Sequence, residues 1–166
     1  ANNTGQTSLL GNSSGMASGT NGLVSITYRG EENIWGNIWK LTDGINVYGY
    51  SQNLAYISNY GFADNIGTAP YVDCGFTLAK TDGYISAFGY STDCDFMFLP
   101  SETLGAVSNP VGDYFYQSNS VNTWLLALLG GAWNDSAAGG GFCWRANAAS
   151  STRYRSIGSR LLYVPQ

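Results

Sequence analysis

Hydrophobic positions along this chain come in short runs with a period near two, separated by long polar stretches. Residues 23–30, LVSITYRG, alternate in the manner of a strand. Two further strand-like runs, NIWKLT and INVYGY, flank Asp43-Gly44, whose turn chemistry predicts a hairpin. Just before them, Glu32 to Trp35 are expected to form a short helical turn ended by Gly36, with Glu31 and Glu32 favouring a helix N-terminus. A second Asp-Gly, Asp82-Gly83, precedes YISAFGY, and a short apolar run at 96–99 stops at Pro100. SNPVGDYFYQSN reads as a tyrosine-rich loop or edge strand. TWLLALLGGAW is the most apolar stretch, and its short length with Gly130-Gly131 favours a buried strand over a helix. The end of the chain, 157–164, reads as another buried strand, whereas 139–156 shows no regular period.

Composition narrows the class. At 166 residues the chain is expected to be one domain burying ~70% of its unfolded surface. Hydrophobic residues make up 44% and aromatics 14%, enough for a core. Only 11% of residues are charged, against roughly 25% in an average soluble chain, and Gly, Ser and Asn take their place. That balance predicts a loop-rich β protein with an uncharged polar surface. Residues 1–22 are dominated by Gly, Ser, Asn and Thr and read as a linker or loosely held arm, leaving 23–166 as the domain. No apolar run approaches 20 residues, so no membrane insertion by a helix is expected.

Candidate chemistry is sparse. Histidine is absent, which removes any His-based triad or His-containing zinc site. Cys74, Cys94 and Cys143 are too widely spaced for a zinc ribbon. Cys74 and Cys94 either pair in an oxidising compartment or remain buried free thiols. Asp93 and Asp95 could share one side of a strand and meet a cation, but two carboxylates fall far short of a calcium shell. Cys143 beside Trp144 and Arg145 has no base to activate it. The glycines at 139–141 lack the lysine of a phosphate loop. No catalysis, cofactor or metal is therefore expected.

Binding has stronger support. Trp133, Phe142, Trp144 and Tyr154 lie close in sequence to Arg145, Arg153 and Arg155. Tyr, Trp and Arg dominate interface hot spots, and Gly, Ser and Asn supply an adaptable background. Trp133 and Phe142 are expected in the core; Arg145 and Tyr154 are expected at the surface. All eleven acids lie at or before Asp135, and four of seven basic residues follow it. The acidic total and the lack of a lysine-rich patch argue against a nucleic-acid partner.

Several blocks carry a family resemblance. GNIWKL (36–41), LLGGAW (128–133) and the closing IGSRLLYV resemble, in order, the signature of the formylglycine-generating-enzyme type of C-type lectin fold. That signature runs Gly-Asn-Val-Trp-Glu-Trp, Arg-Gly-Gly-Ser-Trp, Ile-Gly-Phe-Arg. More specifically, YRGEENIWGNIWK, FGYSTDCDFMFLPSE, GDYFYQ and the closing segment resemble variable proteins of diversity-generating retroelements, over most of residues 24–165. The resemblance implies an α+β, C-type-lectin-like domain with short strands, long loops and little helix.

It also implies a reason for the irregular stretch. In that family a reverse transcriptase copies a template, randomises its adenines and replaces the end of the gene. Asparagine codons of the AAC type are the usual hot positions. Adenine changes alone convert them to Ala, Asp, Ser, Thr, Tyr, Cys or Arg, among others, but never to Lys, Glu, Gln, Met or Trp. Related segments carry asparagine where this chain has Ala132, Asp135, Ala138, Cys143 and Arg145, and again at Ala148, Thr152, Tyr154 and Ser156. Asn134 and Asn147 would be hot positions left unchanged, and Arg153 lies among them. Trp133, Phe142, Trp144, Ser150 and Ser151 would be frame, and Arg160 a structural arginine. Ile157, Leu161, Leu162 and Val164 are expected to pin the segment to the sheet.

The implied function is ligand binding through a variable C-terminal surface spanning about 131–160. The partner would be a protein or glycan receptor on a target cell, and the setting a phage tail or a bacterial surface. Related tail proteins often assemble as trimers, so a homo-oligomer is a further expectation. Two alternatives stand beside this: an oxidase of the formylglycine-generating type, and a structural tail domain without its own ligand. The oxidase branch needs a cysteine pair or copper-binding cysteines near the C-terminus, and Cys143 is alone there.

Overall fold

The most apolar run of the sequence becomes the middle of the main sheet. The computed structural model describes residues 5–19, 23–29, 31–109, 111–117, 120 and 122–159. Among these are fourteen strands and two 3-10 turns, with no α-helix. In chain order the strands are β1 (Gly15–Met16), β2 (Val24–Ser25), β3 (Thr27–Tyr28), β4 (Glu31–Glu32), β5 (Trp39–Tyr48), β6 (Leu54–Ile57) and β7 (Val72–Thr77). They continue with β8 (Gly83–Tyr84), β9 (Ala87–Phe88), β10 (Pro100–Glu102), β11 (Tyr114–Tyr116), β12 (Trp124–Leu129), β13 (Trp144–Ala148) and β14 (Ile157–Gly158). The protein is thus β-rich, with a curled sheet and long connections; the helical part of the expected α+β class is not found among the described residues.

The main sheet runs β7-β6-β5-β12-β13-β11-β8. Neighbours are antiparallel except β11 against β13. β14 adds in parallel to β5 at Trp39 and Lys40, on the edge that β6 leaves free. The strand expected over 157–164 begins here; Arg160, Leu161, Leu162 and Val164 lie outside the described residues. β1–β2, β3–β4 and β9–β10 form small separate pairs.

Both faces of the sheet are covered, which is why the central run is apolar without a clean alternation. On one face Ile45, Val47, Phe115, Leu125, Ala127 and Trp144 join Cys74, Leu78, Cys94 and Leu99 in the larger core. On the other, Trp39, Leu128, Ala132, Cys143 and Ala148 form a smaller core with Leu41, Tyr116 and Ile157 against it. Neighbouring residues divide between the faces as the pleat requires: Ala127 and Leu128, Phe115 and Tyr116, Trp144 and Cys143.

The hairpin expected at Asp43-Gly44 does not form. β5 passes straight through both residues. The pair marks a bulge instead: β12 pairs Leu126 with Asn46 and Leu128 with Leu41, so Ala127 alone faces residues 42–45. Glycine with positive φ serves bulges as well as turns, so the sequence signal is shared. Gly44 sits at φ 82, and a Cβ there would lie 2.3 Å from the Ser58 carbonyl oxygen. The Ser58 N–H donates to the Gly44 carbonyl at 2.9 Å, holding the bulge to the following loop. That loop is also tied down by buried Asn46, whose Nδ2 donates to the carbonyls of Ala63 at 2.8 Å and Ile66 at 3.0 Å.

Other expectations also change. Glu31 and Glu32 belong to β4 and begin no helix. Glu31 pairs with Lys40, and the Glu32 carboxylate accepts from the Gly5 and Thr7 N–H groups at the start of the 3-10 turn Gln6–Leu10. Within the segment read as an arm, residues 5–19 therefore carry a turn and β1, with Thr7 and Ala17 buried. The tyrosine-rich stretch supplies β11, an interior strand between β13 and β8 and not an edge. Cys74 and Cys94 are free, fully buried thiols that hydrogen-bond each other.

Two substitutions test this frame. Trp39, 2% exposed, fills the smaller core against the edge of Tyr116. Trp39→Ala is expected to cost about 3–5 kcal/mol by urea denaturation. Gly44→Ala must relieve both a left-handed backbone and the approach to Ser58, and is expected to cost at least about 1–3 kcal/mol in the same assay.

Candidate functional site

Glycine and aspartate shape the irregular C-terminal segment. After β12 the chain turns through Gly130 and Gly131, both at positive φ, into the 3-10 turn Ser136–Ala138. The Asp135 carboxylate folds back to accept from the Ala132 N–H at 2.6 Å. At Gly140 a Cβ would fall 2.0 Å from Asp113 Oδ1, and the same carboxylate accepts from the Phe142 N–H at 2.6 Å. The glycine run is thus a close passage over Asp113, with no phosphate-binding feature. β13 then returns the chain to the sheet, and residues 149–156 loop out until Ser156 accepts from the Trp39 N–H at 2.7 Å.

The expected site residues divide by exposure. Asn134, Arg153 and Tyr154 are exposed, Tyr154 at 63%. Asp135, Ala138, Arg145, Asn147, Thr152 and Ser156 are half-buried. Arg145 donates from Nε to Asn147 Oδ1 at 2.6 Å, which fixes its guanidinium along the strand. Ala132, Cys143 and Ala148 correct the expectation of outward side chains: all three are buried in the smaller core. All three are small side chains packed in one cluster with Trp39 and Leu128.

The aromatics also need correction. Trp133 is 50% exposed and Phe142 40% exposed, so neither is the core residue expected. Trp144 is frame, buried at 6%. Trp133 instead receives the Arg155 guanidinium 5.5 Å from its ring centroid, joining the 131–135 turn to the 152–156 loop by a cation–π contact. The sequence places Arg155 in the aromatic and basic cluster, and its partner in that cluster is Trp133. Ser150 and Ser151, expected as frame, are exposed beside the loop.

Together these residues make a recess of about 520 Å³ lined by Leu41, Thr152, Arg153, Tyr154, Arg155 and Ile157, with Ser150 at its border. Leu41 and Ile157 reach it from the smaller core, so its base is apolar and its rim carries two guanidinium groups. Among the described residues the lining holds no carboxylate. Such a surface suits a partner with an apolar or ring-shaped group and oxygen acceptors or negative charge.

Nothing here favours nucleophilic chemistry. Burial, then the charges of Asp135 and Asp113, push the Cys143 thiol up from 9.0 to about 12. Burial, then Asp135 and Cys143, push the Tyr116 phenol up to about 12 as well. Cys74 is also raised, by burial first and then by its hydrogen bond with Cys94. Asp93 and Asp95 are exposed on turns either side of buried Cys94. No group of three metal-ligating side chains occurs among the described residues.

By fold and surface the chain is a small β-rich domain presenting an aromatic and basic recess on a C-terminal loop. Comparison with known proteins adds nothing further: no family model, no curated protein and no solved structure matches the chain.

The raised thiol and phenol set a pH dependence. Both groups stay neutral in the folded protein while their unfolded counterparts ionise near pH 9 for the thiol and 10 for the phenol. Their contribution to stability is complete below the unfolded values and is lost as pH rises toward about 12. The urea midpoint is expected to hold steady to about pH 8.5 and to fall above it. Native protein at pH 8 should also resist iodoacetamide at all three cysteines until urea is added; rapid native labelling of Cys143 would contradict the burial.

Proposed function

We propose that this protein is a ligand-binding module of the C-type-lectin-like kind, whose C-terminal segment displays a rewritable recognition surface diversified by a retroelement. The observation that carries the reading is the exposure of Arg153 and Tyr154 at one recess, on a loop whose ends are fixed to a buried sheet, with exposed Trp133 held to that loop by Arg155. Residues of this kind contribute large contact area at low entropic cost. Substituting exposed loop residues usually changes stability by less than about 0.5 kcal/mol, so recognition can change while the fold stays.

The buried positions sharpen the proposal. Ala132, Cys143 and Ala148 are reachable from asparagine codons, yet all are small. Mutagenesis would draw larger residues at these sites as well, and those would overpack the smaller core. The freely variable set is then Asn134, Arg145, Asn147, Thr152, Tyr154 and Ser156, with Asp135 and Ala138 limited by the turn they build.

In this reading the partner is a protein or glycan receptor on a target cell, and the module works on a phage tail or bacterial surface, with a trimeric assembly in keeping with the family. No catalysis is part of the proposal, since a buried lone thiol pushed to about 12 is a poor nucleophile.

A combinatorial library at Asn134, Thr152, Tyr154 and Ser156 tests the reading. Most members should unfold cooperatively with Tm within a few degrees of the parent, and selection against arbitrary protein or glycan targets should recover binders. A matched library at Ala132, Cys143 and Ala148 should mostly fail to fold. Widespread unfolding in the first library, or folded members that never yield a binder, would refute it.

A further inference from the structure

A second recess lies over the other face of the sheet. It encloses about 710 Å³, within the range of small-molecule sites. Ile45, Ile57, Met97, Leu129 and Trp144 line its base, and each belongs to the larger core or packs on it. Phe96 and Phe98 line it from the 89–99 connection although both are exposed, Phe96 at 63%.

The recess is a built feature. One wall is the β5 bulge, held by Gly44 against Ser58. The opposite wall is the 89–99 connection. It is anchored by fully buried Cys94 against Cys74 and by the Gly89 N–H donating to the Leu99 carbonyl at 2.9 Å. The rings of Phe88, Phe98 and Phe142 pack mutually at 5.4–5.8 Å and brace that wall.

Two chemical features stand out. Asp43, from the bulge, and Asp93, from the opposite connection, both line the recess, and no lysine or arginine among the described residues does. The indole Nε1–H of Trp144 is buried and has no hydrogen-bond partner among the described residues. An unpartnered buried donor is costly, and an acceptor on a bound molecule would satisfy it.

We propose that this recess binds small organic cations that carry an apolar ring or branched body and one hydrogen-bond acceptor. The body displaces water from Ile45, Met97 and Leu129. The ammonium lies toward Asp43 and Asp93, with the phenylalanine faces adding cation–π attraction. The acceptor takes the Trp144 N–H. Anions of the same shape are repelled by the two carboxylates. The site does not depend on the reading of the variable surface, because it draws only Gly141, Phe142 and Trp144 from that segment.

Nitrogen-labelled protein titrated with methoxynaphthyl-ethylamine, the corresponding alcohol and methoxynaphthylacetate provides the test. The amine should shift the Trp144 indole resonance and the backbone resonances of Met97 and Phe98. It should bind roughly tenfold tighter than the alcohol, and the acid should bind weakest. Added salt should narrow these differences. The double variant Asp43→Asn, Asp93→Asn should keep its Tm and bind amine and alcohol alike. The proposal is overturned if the amine gives no shift at millimolar concentration, if the shifts map away from Trp144, or if the preference survives in the double variant. Concentration-dependent self-association abolished by Phe96→Ser would assign the face to a second copy of the chain, and would overturn it too.

Discussion

One irregularity in strand pairing organises this molecule. Ala127, at the middle of β12, faces residues 42–45 on β5 and residues 146–147 on β13. Because β12 is buried on both faces, it cannot slip by a residue without moving Leu128 and Ala127 into each other's cores. The excess chain on its two neighbours must therefore bulge, one bulge on each side. The β5 bulge forms a wall of the larger recess and brings Asp43 to it. The β13 bulge turns Ala148 onto the same face as Cys143, and the Arg145 side chain meets that of Asn147. The larger recess is thus a consequence of the β5 bulge, and the β13 bulge decides which core Ala148 joins.

The sequence spelled out the apolar centre of the sheet but not the defect. WLLALL could be read as a buried strand because it is short, apolar and ended by Gly-Gly. Asp43-Gly44 was misleading because left-handed glycine serves bulges and hairpins alike, and only the partner strand decides between them. The glycines at 139–141 were opaque for a similar reason: the group that demands Gly140 is Asp113, far away in the chain. Trp133 and Phe142 look like core residues by type, yet each pairs laterally with other side chains at the surface, Arg155 in one case and Phe98 in the other. At the C-terminal segment the family resemblance marked out about 131–160 as one outward surface. It did not separate Ala132, Cys143 and Ala148 from their exposed neighbours, because that division follows from packing beside Trp39 and Leu128 and, for Ala148, from the β13 bulge, not from local pattern.

The two recesses differ in charge as well as in position. The one on the C-terminal loop is rimmed by Arg153 and Arg155, and the one between the β5 bulge and the 89–99 connection by Asp43 and Asp93. Each has an apolar base drawn from a different core. Apolar contact supplies undirected attraction in both, so charge is what would separate their ligands.

That separation has a physical consequence for the proposed variable surface. The rim of the loop recess is built from side chains that contribute little to the cores, so altering Tyr154 or Arg153 leaves the larger core and its recess untouched. The larger recess is built from Trp144, Leu129 and the Gly44 bulge, which also hold the sheet in register, so its shape cannot drift without loss of stability. Under the proposed function, a domain arranged this way would keep one recess constant while the other is rewritten, with the boundary set by the alternation of neighbouring residues along β12 and β13.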